Sequence, residues 1–466
     1  MMKRCLLFCC MLALLPVGVG QSATTPAVVQ EKVLRNGLKI LVKEDHRSPV
    51  MVSQVWYKVG SSYEYDGITG ISHMLEHMMF KGTKKLKPGE FSRIIAENGG
   101  QENAFTGMDY TAYFQTMEKS RLPVSFELEA DRMRQLQLLD EELQKEREVV
   151  MEERRMRTDD QPRAKTREYL MAMAYTNSPY KNPVIGWPED IRHYTLTDLQ
   201  RWYQQWYAPN NATLVVVGDV TPAEVFAQAE KYFGPLQPSK LTPQKPREEM
   251  PQRGERRMVV KVPAEVPYVI MGYKVPALRG LQDPSEAYAL EVAAGILDGG
   301  NSARLASRVV RGQQIAVSAA ADYDMTNRLS GLFMLDGTPV TGKTAQELEQ
   351  ALRAEVRTLR DELVSAEELD RVKAQVSASE VFQLDSMFFQ AMKYGLLETV
   401  GLGWQTADHY LENIQRVTAE QVREVARKYL TDDRLSVAIL EPQAIQSATT
   451  TVKPVTTPAA GARHAQ

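Results

Sequence analysis

The sequence predicts an α+β fold of two homologous halves. Each is a mainly antiparallel sheet with helices on one face, and the halves are joined by a linker in a clamshell-like arrangement. Three observations predict this. Segments recur: Ile191-Arg192-His193-Tyr194-Thr195 leads into a helix through Tyr207 and the strand Thr213–Val217. Ile414-Gln415-Arg416-Val417-Thr418 leads likewise into a helix through Leu430 and Leu435–Ile439, at an offset of 223 that becomes 222. Glu141-Glu142-Leu143 also returns as Glu367-Glu368-Leu369 at offset 226. Second, Pro235, Pro238, Pro243, Pro246 and Pro251 stand among Lys, Arg, Glu and Gln, a composition that reads as an extended linker between halves of similar length. Third, strands are grouped with helices rather than alternating strictly with them.

Taken in order, residues 1–23 read as a signal peptide. Met1–Arg4 is a short basic stretch, and Cys5–Leu15 is an apolar run of 11 residues, too short to span a bilayer. Pro16 and small residues follow, so cleavage is expected between Gly20 and Ala23. All three cysteines, Cys5, Cys9 and Cys10, lie in this leader, and Leu6-Leu7-Phe8 is not the small-residue context of a lipidated cysteine. The mature chain is expected to be thiol-free, periplasmic or secreted, and without a stable membrane span. Losing Lys3 and Arg4 but no acid moves the formal net charge from −3 to −5, which offers nothing to nucleic acid.

Residues 24–236 make the first half. Val33–Val42 and Val50–Val59 read as strands around a polar turn, with partly alternating apolar residues. A helix carrying His73 follows. Phe105–Thr116 reads as a strand, and Pro123–Leu138 with Glu141–Arg155 as a helical hairpin. Trp202, Tyr203, Trp206 and Tyr207 recur at helical spacing and read as core. Residues 237–258 are the linker and 259–441 the second half. Residues 442–466, rich in Thr, Ala, Ser and Pro, are expected to be a disordered tail. Asn211-Ala212-Thr213 matches a glycosylation sequon by pattern only.

The chemistry concentrates in His73-Met74-Leu75-Glu76-His77. On a helix, positions i, i+3 and i+4 share one face, so two imidazoles and a carboxylate point together. Two neutral imidazoles one turn apart can hold one Zn²⁺, and Glu76 is then near enough to act as a base on water. The order is the reverse of the His-Glu-x-x-His of ordinary zinc peptidases. A catalytic site needs a third protein ligand. Without cysteine it must be a distant acid, and the acids cluster in Glu146-Arg147-Glu148-Val149-Val150-Met151-Glu152-Glu153. Glu146 and Glu153 lie two turns apart on one face, Glu152 about 100° away. Spacing does not choose between Glu152 and Glu153. The repeat offset places His73 near Leu290, His77 near Ala294 and Glu153 on Ser379, so the second half lacks every candidate ligand.

Several stretches together resemble the M16 peptidases, the pitrilysin or insulinase group, in their half-length form. They are Gly67-Ile68-Thr69-Gly70-Ile71-Ser72-His73-Met74-Leu75-Glu76-His77-Met78-Met79-Phe80-Lys81-Gly82-Thr83, then Gly99-Gly100-Gln101-Glu102-Asn103-Ala104-Phe105-Thr106 with Asp109 and Tyr113, the acidic run above, and Asp298-Gly299-Gly300-Asn301-Ser302-Ala303-Arg304-Leu305. The resemblance implies a pair of α+β halves and a zinc endopeptidase of unfolded peptides or oligopeptides. It implies one Zn²⁺ per chain on His73, His77 and Glu153, with Glu76 as general base and Glu146 supporting the ligands. It also implies that Asn103, Ala104 and Phe105 form a substrate-binding edge strand.

One departure stands out. The family's Arg and Tyr, seven residues apart in the non-metal half, fall here on Val310 and Val317, which donate no hydrogen bond to an oxyanion. Arg308 or Arg311 would substitute only after an alignment slip. The expected assembly is therefore a dimer, in one form a heterodimer with a non-zinc M16-like subunit that carries the Arg/Tyr pair. The competing expectation is a non-catalytic peptide-binding or scaffold subunit.

Overall fold

A computed structural model describes residues 28–445 except 243 and 246. The expected leader and nearly all of the expected tail lie outside the described residues. The first half runs β1 (Gln30–Val33), β2 (Lys39–Glu44), β3 (Val50–Tyr57), α1 (Ile71–Met78), α2 (Glu90–Glu97), β4 (Gln101–Thr106) and β5 (Thr111–Glu118). It continues through α3 (Leu122–Gln135), α4 (Asp140–Arg154), α5 (Pro162–Ala174), α6 (Pro188–His193), α7 (Leu196–Trp206), β6 (Ala212–Gly218) and α8 (Pro222–Tyr232). The second half runs β7 (Arg256–Pro263), β8 (Tyr268–Val275), α9 (Ser285–Leu297), β9 (Ala316–Asp322), β10 (Gly331–Pro339) and α10 (Ala345–Asp361). It ends with α11 (Ala366–Gln383), α12 (Met387–Val400), α13 (Thr406–Arg416), α14 (Ala419–Tyr429) and β11 (Leu435–Gln443).

The sheets have the orders β1-β2-β6-β3-β5-β4 and β7-β11-β8-β10-β9. In each, one parallel pair (β2/β6, β7/β11) sits beside otherwise antiparallel neighbours. The second sheet is thus the first without β1, as expected of homologous halves. Helix starts repeat as well: Thr195 with Asp198 and Thr418 with Gln421 both form capping boxes, in which each side chain accepts from the other residue's backbone N–H.

The alternation along the strands divides two faces in each sheet. Ile40, Val42, Val55 and Tyr57 face the first half's own helices, and Trp202, Tyr203, Trp206 and Tyr207 join that core. Leu41, Val52, Trp56 and Val217 face the other way, onto Ala391 and Tyr394 of α12 from the second half. Reciprocally, Leu170 and Ala174 of α5 pack on Ile270, Leu332, Ala438 and Leu440 of the second sheet. Each half therefore has its own helices on one face, as expected, and a helix from the other half on the second face. Beside the exchange, Asp109 accepts from Arg328 N and Nε at 3.1 Å each and from Ser62 Oγ at 2.6 Å.

Four sequence expectations are corrected. Val33–Val42 is not one strand but the β1/β2 hairpin, because Gly37 at φ +90° turns the chain. Phe105–Thr116 is likewise the β4/β5 hairpin, closed by Gly107 N–H donating to Tyr110 O. The segment 237–258 gives up its last residues to β7, and it is tied down rather than free. Gln244 and Arg247 donate to the carbonyls of Tyr63 and Glu64, and Glu249 accepts from Thr176, Asn177 and Ser178 N–H groups. The expected tail begins too early, since β11 pairs with β7 through Gln443. Asn211 of the sequon is buried and donates to Trp206 O, so it presents no amide for glycosylation. Among the described residues, no helix is long and apolar enough to cross a membrane.

Candidate active site

Helix α1 begins where two backbones cross. Gly70 has φ +85°, and a Cβ there would lie 2.4 Å from Ile185 O; a Cβ on Gly186 would lie 2.3 Å from Thr69 O. Gly70 has no capping side chain, so Glu64, fully buried, does that work. It accepts from Gly70 N at 2.7 Å and Ser72 N at 2.8 Å. Burial pushes its carboxyl up to about 8, against the two N–H donors. Asp190 holds the preceding turn through Thr69 N and Thr69 Oγ1.

The two α1 imidazoles stand with ring centres 4.7 Å apart. Helix α4 brings Glu153 beside them: its Oε2 is 3.3 Å from His77 Nε2 and 3.8 Å from His73 Nε2, and all three donor atoms lie within 4.8 Å of one another. Glu152 points elsewhere, paired with Arg155 at 2.5 Å. Tertiary packing thus separates two acids that sequence spacing could not. Glu146, two turns earlier, accepts from His77 Nδ1 at 2.8 Å and from Lys81 Nζ at 2.5 Å. Arg157 engages the other oxygen of Glu153 at 2.6 Å.

The electrostatics follow from this crowding. Burial, reinforced by the neighbouring His77, lowers His73 to about 4. Burial would lower His77 too, but Glu146 and Glu153 outweigh it and raise it to about 9. Burial raises Glu146, yet His77 and Lys81 overcome that and hold it below its ordinary value, so it is an ionised acceptor. An ionised Glu146 can only accept, so Nδ1 is the nitrogen that donates to it, and the two flanking carboxylates favour the ring protonated on both nitrogens. Glu153 is lowered chiefly by its bond to His77. Glu76 is raised by burial, with the Thr106 hydroxyl bonded to its Oε2 opposing the shift.

These groups line a cleft of about 1230 Å³ walled by α1, β4, α4, α5 and the 180–185 segment. Strand β4 lies at the free edge of its sheet. Asn103 is exposed, Ala104 and Phe105 are half-buried, and Ala104 N–H donates to Asn103 Oδ1 at 2.9 Å. The Phe105 ring packs against Trp56 with centres 5.4 Å apart. Among the described residues, those lining the cleft all belong to the first half. Val310 is half-buried against the second core and Val317 is exposed on β9. Arg308 is paired with Glu355 at 3.1 Å, and Arg311 donates to Asn301 O. Neither arginine reaches the cleft.

The sequence sets Thr106 at the end of the expected substrate-binding strand and Lys81 in the motif stretch of His73 and His77, but not beside Glu76 or Glu146, and it assigns no part to Arg157 or Glu64. Arg157 stands four residues after Glu153, a legible helical pair. The others become neighbours of the site only through the fold.

The comparisons place the chain in a family. A model described as insulinase (peptidase family M16) matches residues 39–187, and one described as peptidase M16 inactive domain matches 193–376. The chain is 33% identical over 437 residues to "Zinc protease PqqE" of Helicobacter pylori, covering 92% of this chain and 96% of that one. It is 26% identical to "Uncharacterized zinc protease YmxG" of Bacillus subtilis, covering 89% and 98%. The crystal structure of a protease from Helicobacter pylori superposes with TM-score 0.84 at 32% identity, over 89% of this chain and 100% of that one. The periplasmic protease PqqL of Escherichia coli shares the fold at TM-score 0.75 and 18% identity; 90% of this chain covers 48% of that one. This chain belongs to the M16 peptidase family.

Proposed function

We propose that the chain is a zinc-dependent endopeptidase of unfolded peptides or oligopeptides, holding one Zn²⁺ on His73, His77 and Glu153. The observation that carries this reading is the convergence of those three donors within 4.8 Å on a cleft wall beside a free strand edge. Their chemistry fits the ion. Two imidazole nitrogens and a carboxylate oxygen are a usual donor set for zinc, and they stand 3.3 Å apart for His77–Glu153 and 3.8 Å for His73–Glu153. Bound zinc supplies Lewis acidity, polarising the scissile carbonyl and acidifying the attacking water.

The remaining steps belong to this chain's residues. Glu76 takes a proton from the water as its oxygen adds to the carbonyl carbon. It then returns that proton to the amine nitrogen as the C–N bond breaks. Burial raises the basicity of Glu76 for the first transfer. Glu146 keeps His77 in the tautomer that presents Nε2. The β4 edge at Asn103, Ala104 and Phe105 pairs with an extended peptide through main-chain hydrogen bonds, which favours unfolded substrates over any one sequence.

The leader supports export to the periplasm or beyond. Val310 and Val317 offer no oxyanion donor, and among the described residues none from the second half lines the cleft. The chain is therefore the zinc-bearing member of a dimer, in which a second M16-like subunit supplies the Arg/Tyr pair. The fold shared with one half of a double-length relative accords with such pairing.

Cleavage of a quenched peptide, with the purified chain alone and with a copurifying subunit, tests this. Glu76→Gln is expected to keep zinc and lose about 10²–10⁴-fold in kcat. His77→Ala is expected to lose both zinc and activity. A Glu76→Gln chain as active as wild type would overturn the reading.

A further inference from the structure

Glu146 orients His77 and Arg157 engages Glu153. The base, Glu76, has its own partner on a different element. Thr106 is the last residue of β4, and its hydroxyl donates to Glu76 Oε2. Its backbone is held from two directions. Thr106 pairs in register with Thr111 across the hairpin, and the next residue, Gly107, donates to Tyr110 O at 2.8 Å. The same turn contains Asp109, which is 3% exposed and bonded to Ser62, Tyr180 and Arg328. The hydroxyl therefore projects from an anchored hairpin, whereas Glu76 ends a flexible side chain with three rotatable bonds. Nothing else in the described structure hydrogen-bonds the Glu76 carboxylate.

We propose that Thr106 is a positioning residue for hydrolysis: its hydroxyl fixes the Glu76 carboxylate by Oε2 and leaves Oε1 as the atom that receives the proton from water. The inference rests on the endopeptidase reading above. It couples the base to the edge strand on which the substrate lies, so a peptide paired with β4 and the proton acceptor share one rigid reference. Correct placement of a reacting group accounts for large factors in rate, and small displacements are costly.

Thr106→Val removes the donor and keeps the branched shape. In the assembly in which the wild-type chain is active, it is expected to lower kcat by about 10- to 100-fold. KM is expected to stay within about twofold because main-chain pairing is intact. Zinc content should remain one per chain, and Thr106→Ser should restore most of kcat. A crystal structure of zinc-loaded Thr106→Val should show the Glu76 carboxylate rotated or in several conformers. Full kcat in Thr106→Val, with Glu76→Gln inactive, would overturn this inference while leaving the endopeptidase reading intact. If wild type and Glu76→Gln hydrolyse equally, the reading itself fails. The crystal structures then decide the geometry, and an unchanged Glu76 conformer in Thr106→Val overturns the positioning role.

Discussion

Glu146 is ionised, buried to 5% exposure, and divides its oxygens between His77 Nδ1 and Lys81. Its charge both fixes the His77 tautomer and strengthens Nε2 as a donor. Glu146→Gln keeps the size but loses the anion, and it is expected to weaken zinc binding about 10- to 100-fold. Competition with a chromogenic chelator measures this; unchanged affinity would remove Glu146 from the metal centre. At this scale the sequence was most informative where spacing is local. His73, Glu76 and His77 share a face by helix geometry alone. Spacing leaves Glu152 and Glu153 open and only the family resemblance points to Glu153; the direction from which α4 meets α1 is what sets Glu153 beside the imidazoles, and the contact of Thr106 with Glu76 needs the end of a hairpin. Both are tertiary facts with no periodic signature.

Helix α1 depends on a cap that its own sequence does not contain. Glu64, six residues before Gly70, supplies it from a fully buried position, where its carboxyl is raised to about 8. An acid with a folded value above its unfolded one binds a proton on folding. Its contribution to stability is full below about 4.5 and is lost as pH rises toward 8. Wild type is therefore expected to lose stability relative to Glu64→Gln across that window, by up to ~1.4 kcal/mol per pH unit. Urea unfolding of both chains at pH 5 and pH 8 checks the sign; a gap independent of pH would contradict it. The helices that follow Thr195 and Thr418 are legible from the repeat, and each begins with a capping box. Both hairpins read as single strands in the sequence. In Phe105–Thr116 the apolar alternation resumes across Gly107, and a lone glycine does not announce a reversal.

The repeated segments predict two halves, but not how they are joined. An apolar helix face says that a helix packs, not on which sheet, so the exchange of α5 and α12 was hidden. Within it Gly395 of α12 lies against Trp56 of β3, where a Cβ would lie 2.2 Å from the indole Nε1. Gly395→Ala is expected to destabilise the chain by about 1–3 kcal/mol through overpacking, despite alanine's better helix propensity. Because each half buries a helix of the other, that loss should appear as a shift of one cooperative transition in urea. Two transitions, only one of them shifted, would show that the halves unfold separately. The proposed site would hold one metal ion between α1 and α4. Crystals of the chain purified without added metal, with anomalous diffraction recorded on both sides of the zinc edge, test it most directly. We expect a single zinc peak per chain bounded by His73 Nε2, His77 Nε2 and Glu153 Oε2. Zinc bound elsewhere, or crystals of zinc-replete protein with no peak between those atoms, would contradict it.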